Sequence, residues 1–130
     1  MLLGRDGSVC YSGDVASTCF FYVEGASDAV KVRDAVNVRC KSFLEAREWG
    51  PRAWCVVDVQ AAGLMVGLNY SFDKVTESVR GEVLEVLRFI KGLSVELATP
   101  FVVGVDGEDR DVIGRGKEYP LEEVADFLLA

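Results

Sequence analysis

The stretch AWCVVDVQAAGLMVGLNYSF, Ala53 to Phe72, decides how the rest of the chain is read. Two runs, Ala53 to Gln60 and Leu64 to Phe72, alternate as strands do, with successive side chains on opposite faces. The short segment AAG between them suits a hairpin. One alternate set, Cys55, Val57 and Val59 with Leu64, Val66, Leu68, Tyr70 and Phe72, is the face expected to meet helices. The other set is Trp54, Val56, Asp58 and Gln60 with Met65, Gly67, Asn69 and Ser71, and its Trp54, Val56 and Met65 end is also apolar. A half-wet antiparallel sheet would be polar on that second face. Large apolar patches seldom stay bare on a monomer, so a cover is expected. The C-terminal helix, a twofold-related copy packed sheet to sheet, or a foreign partner could each supply it.

Upstream, STCFFYVEG (Ser17 to Gly25) is dense in aromatic and β-branched residues and reads as a strand. Either Phe20 and Tyr22 or Cys19, Phe21 and Val23 must extend the second face. GSVCYSG (7–13) is a shorter strand candidate bounded by turn residues. From Ser27 to Trp49 two periods compete: Val30, Val32, Val36, Val38 and Cys40 alternate, while Ala29, Val32, Val36, Cys40 and Phe43 fall on one helical face. Ser27 or Asp28 as a cap, the helix-forming SFLEAREW, and the Gly50-Pro51 stop favour the helix. The rival is a hairpin followed by a shorter helix from Asp34.

Downstream, Asp73 is expected to cap an amphipathic helix whose core face is Val75, Val79, Val83, Val86, Leu87 and Ile90, ended by Gly92. A strand follows near Phe101 to Val105, and Asp106-Gly107 turns it toward a second short strand around Asp111 to Arg115. Pro120 opens a last helix, with Leu121, Val124, Ala125 and Leu128 on one side. This order of elements predicts an α+β protein. Its antiparallel sheet would have a split βαβ (ferredoxin-like) core, an extra N-terminal strand, and a C-terminal β-arm and helix. Length, and the lack of repeats or linkers, make 1–130 one expected domain.

Half the residues are apolar and 27% are charged, the balance of an ordinary globular chain rather than a disordered one. No apolar run approaches a membrane span, and the start MLLGRDGSV lacks the basic head and apolar stretch of a secretory signal, so a cytoplasmic protein without membrane contact is expected. The cysteines, Cys10, Cys19, Cys40 and Cys55, are widely spaced and stand in apolar surroundings, where reduced, mostly buried thiols are the expectation. With no histidine and no paired cysteines, neither a metal nor another cofactor is expected.

The net charge of −7 is concentrated at the end of the chain. From Asp106 onward eight acids face three bases, so most of the excess belongs to that segment. Such a lobe repels phosphate backbones, which argues against nucleic acid, and attracts basic proteins. VDGEDRD lacks the spacing and terminal Glu of a calcium loop, and GRGK lacks the rest of a phosphate-binding loop. Without histidine, the commonest acid–base group, an enzyme is not expected.

These features predict a small acidic protein-binding module, such as an inhibitor or immunity-type protein that neutralises a basic partner. Its candidate contact residues are Glu108, Asp109, Asp111, Glu122 and Glu123. The alternative is a small-ligand regulatory or catalytic domain using the second sheet face, with Tyr22, Trp54, Val56, Asp58 and Met65 as the candidates. A homodimer is compatible with either.

Overall fold

A computed structural model describes residues 16–60, 63–114 and 120–130. The elements are β1 (Ser17–Val23), α1 (Ala26–Glu45), a 3₁₀ turn (Gly50–Arg52), β2 (Ala53–Gln60), β3 (Gly63–Phe72), α2 (Glu77–Leu97), β4 (Phe101–Val105), β5 (Glu108–Ile113) and α3 (Leu121–Leu129). The strand candidate at 7–13, and Cys10 with it, lie outside the described residues. The chain is α+β: a five-stranded antiparallel sheet in the order β2-β3-β1-β4-β5, with three helices.

Register places Phe21 between Leu68 of β3 and Val103 of β4, and aligns Cys19 with Tyr70 and Val105. These are the buried positions, and they share one core with Val36 and Cys40 of α1, Val83, Leu87 and Ile90 of α2, and Val124, Ala125 and Leu128 of α3. All three helices therefore cover the same sheet face. Helix α1 lies over β2 and β3, whereas α3 packs on α2 and reaches β4 and β5. A C-terminal helix laid over the second face is thus ruled out, because its apolar stripe is already spent on α2.

The helical period wins over 26–45, and the alternating valines are its by-product: Val30 and Val38 are 67% and 60% exposed. Its cap is neither Ser27 nor Asp28 but Gly25, at φ 86 and without a side-chain bond. Helix α2 is capped by Thr76, not Asp73, because the Thr76 hydroxyl accepts the Val79 amide at 3.1 Å; Val75 is left outside and exposed. The helix also runs past Gly92, since buried Leu93 and Ser94 prolong its core face, and ends where Ala98 turns left-handed at φ 50.

Pro120 is the cap of α3 rather than its first turn, and β5 begins at Glu108, three residues before the expected start. That early start follows from the turn: Asp106 and Gly107, at φ 51 and 83, make the tight hairpin that twisted strands favour, so pairing resumes at once. On the β2–β3 hairpin, Val57 and Val59 fail to reach the core; the far end of the hairpin outruns the helices and leaves them 46% and 79% exposed.

Candidate functional site

The face turned away from the helices is built from cross-strand rows. Trp54, Asn69, Phe20 and Gly104 form one row, with Asp109 opposite Gly104 on β5. Val56, Gly67, Tyr22, Val102 and Val112 form the next. Asp58 and Met65 pair at the far end of the hairpin. All five sheet-face candidates named from the sequence therefore share this surface, and Trp54 is 40% exposed on it. Nothing among the described residues packs over it.

A groove of about 440 Å³ runs along this face. Phe20, Tyr22, Met65 and Val102 supply its apolar wall, and Asp106 and Asp109 stand at its rim. Phe20 and Tyr22 lie 5.3 Å apart, ring to ring, at a 31° tilt. Gly104 makes room for the first ring, since a methyl there would lie 2.5 Å from the Phe20 ring and collide with the Glu108 carbonyl. The Tyr22 hydroxyl donates to Asn69 Oδ1 at 2.6 Å. Burial raises the pKa of that phenol; the bond to Asn69 pulls the other way, and the negative charge of Asp58 adds to the rise. Tyr22 is thus a neutral, oriented donor at physiological pH.

Asp106 fixes the rim to the sheet. Its amide donates to the Thr18 carbonyl and its Oδ1 accepts the Thr18 amide, each at 2.9 Å. Among the described residues none of the groove's lining side chains is cationic. Arg110, the nearest base along the hairpin, reaches instead toward α3, where its Nη1 donates to the Phe127 carbonyl at 2.9 Å.

The acidic candidates do not form one surface. Asp109 is at the groove, and Glu108 is exposed beside Arg110. Asp111 is half-buried; its Oδ1 accepts the Val112 amide and its Oδ2 is buried without a hydrogen bond. Glu122 and Glu123 occupy the first turn of α3, where negative charge favours the helix dipole, on the helical side of the molecule. Sequence reasoning missed Thr18, Asn69, Val102 and Asp106 as groove residues. The apolar character of both alternate sets in STCFFYV hid which one faces outward.

A larger cleft, about 730 Å³, lies between the 3₁₀ turn, the end of β3 and the start of α2. Its centre is Glu82, whose carboxylate accepts from Tyr70 Oη at 2.6 Å, from Arg52 Nη2 at 2.8 Å and from Arg47 Nη2 at 2.7 Å. Arg47 also lies 4.0 Å over the Trp49 ring, and Trp49 meets Tyr70 edge-on. Burial alone would raise the Glu82 carboxyl, but the hydrogen bonds from Arg52 and Tyr70 outweigh it and hold the group below its ordinary value. Burial, with Glu82 beside it, pushes the Tyr70 phenol up. These groups satisfy one another, so the cleft's polar centre serves to fasten α2 to β3 and the 3₁₀ turn.

Burial pushes Cys19 and Cys40 up to about 12 and raises Cys55 too, which makes all three poor nucleophiles. Among the described residues no cluster of His, Cys, Asp or Glu has the makings of a metal site. No described helix is long and apolar enough to cross a membrane. The open-face groove is left as the candidate site, and it offers aromatic walls, one oriented hydroxyl and negative charge. Comparisons with protein-family models, with curated proteins and with solved structures find no match.

Proposed function

We propose that this chain is a small acidic, non-enzymatic binding module that captures a basic protein, in the manner of an inhibitor or immunity protein, through the open face of its sheet. The observation that carries this reading is the groove itself: Phe20 and Tyr22 lie beside Asp106 and Asp109, and none of the described residues lining it is a cation. A lysine or arginine of the partner would lay its stem or guanidinium against the rings while its charge meets the carboxylates. The wider acidity of the chain would speed the encounter.

We also infer a split βαβ, ferredoxin-like core spanning β1 to β4. In support, β1 and β2 run parallel with β3 between them, as the two antiparallel pairings require. In that reading β5 and α3 are additions at one edge.

The test is affinity capture from native extract on immobilised protein, at low and high salt, comparing wild type with Asp109→Lys and Phe20→Ala. The expected result is a basic protein retained by wild type at low salt and lost from both variants. Undiminished capture by Asp109→Lys would overturn the proposal. A second reading, a small cationic ligand in the same groove, draws on its volume, which falls within the range of small-molecule sites. Charge reversal at Glu108, whose side chain is 76% exposed outside the groove, separates the two: it slows capture of a protein and spares a small cation.

A further inference from the structure

The two edges of the sheet are protected very differently. Strand β5 opens with four consecutive charged residues, Glu108, Asp109, Arg110 and Asp111, and its pairing with β4 is broken by a register shift at Val103/Gly104. Charge and bulges are the devices by which proteins keep an edge from pairing with another chain. Strand β2 has no bulge and little charge. It pairs with β3 over eight consecutive residues without a shift, contains no proline or glycine, and carries one charge, Asp58. Among the described residues nothing pairs with its outer edge. Of the seven large apolar side chains that are exposed among the described residues, three, Trp54, Val57 and Val59, stand on this one strand.

We propose that β2 is the dimerisation edge of this protein and that its occupant is a second copy of β2, paired antiparallel about a twofold axis perpendicular to the sheet. The strand is self-complementary in that arrangement. With the axis at Val56, Cys55 faces the partner's Val57 and Ala53 faces the partner's Val59, so every pair on the helical side is apolar. On the open side Asp58 faces the partner's Trp54, and the two Asp58 carboxylates are kept off one another. Identical pairs of this kind are what an isologous interface requires. The sheet then continues through both copies, and both grooves open on the same side, clear of the junction. This differs from the sheet-to-sheet dimer, one of the three covers the sequence leaves open, which would have buried them.

The experiment is sedimentation of the full chain from micromolar to millimolar concentration, for wild type, Val57→Lys, Val59→Lys and the control Asp109→Lys. Val57 and Val59 are exposed, so circular dichroism should show the two lysine variants folded. The expected outcome is a wild-type dimer whose dissociation constant rises by about a hundredfold or more in either valine variant and is unmoved in Asp109→Lys. A wild type that is monomeric throughout overturns the proposal, and so does a dimer indifferent to both lysines. Hydrogen exchange gives a second reading on wild type alone: outward amides of β2 should slow as concentration rises. Slow exchange at every dilution would assign the edge to another part of the same chain and would also overturn it.

Discussion

Glu82→Ala removes the acceptor from a buried phenol at the wall of the cleft. Tyr70 is 0% exposed, and its hydroxyl donates to Glu82 at 2.6 Å. An orphaned buried donor costs about 1–3 kcal/mol; the charge on the lost acceptor raises the cost and water entering from the cleft lowers it, which places this case near the middle of that range. The guanidinium groups of Arg47 and Arg52 are solvated, so the water that replaces the carboxylate screens most of their loss. For a chain of this length a loss of about 2 kcal/mol corresponds to a Tm lower by about 6–10 °C. Tyr70→Phe takes away the donor instead, keeps the ring against Trp49, and should cost about 1 kcal/mol. The double variant should then be scarcely worse than Glu82→Ala, a coupling of about 1 kcal/mol.

Urea unfolding followed by circular dichroism, with an unchanged slope, measures all three variants. Losses that simply add would refute the reasoning, as would a Glu82→Ala cost below about 0.5 kcal/mol. The pH dependence supplies a sign. A carboxyl held below its ordinary value stabilises fully above 4.5, and that contribution disappears as pH falls through the folded value. The gap between wild type and Glu82→Gln should therefore narrow on acidification, and a gap that widens would contradict the assignment.

Two further outcomes are expected. Gly104→Ala should destabilise by about 1–3 kcal/mol, toward the upper end because the methyl meets the Glu108 backbone as well as the Phe20 ring; a neutral thermal melt would show that the ring has somewhere else to go. In a Cys10→Ser chain at pH 8, a thiol reagent should modify half-buried Cys55 first and reach Cys19 and Cys40 only on unfolding; rapid reaction of all three would refute their burial.

How much of this was legible in the sequence depends on distance along the chain. The hairpin bounds at Ala53, Gln60 and Phe72, and the strand from Phe101 to Val105, follow from local alternation and turn chemistry, and they agree with the structure. The helical reading agrees with the helix over 26–45, but its flanking signals misplace both ends: Gly25 is the cap, and the helix stops at Glu45, short of Gly50-Pro51. Caps were read less well: Asp73 and Thr76 are both capable residues, and only the Val79 amide distinguishes them. The five sheet-face candidates share a surface because alternation fixes faces, and a register of neighbouring strands then aligns them. The Glu82 cluster left no trace, since Arg47, Arg52, Tyr70 and Glu82 meet only through tertiary packing. The dispersal of the acids was hidden for the same reason. A charge count along the chain cannot reveal that α3 carries Glu122 and Glu123 to the opposite layer.

The double clasp between Asp106 and Thr18 bears on the kinetics of any encounter. A hairpin tip is ordinarily a place where backbone wanders, and whatever lands on it must first still it. Here the wandering was extinguished when the first and fourth strands zipped together. A basic partner of the kind proposed would therefore find its counter-charge standing at a settled address, and the lifetime of the pair would be governed by contacts rather than by the reordering of a loop.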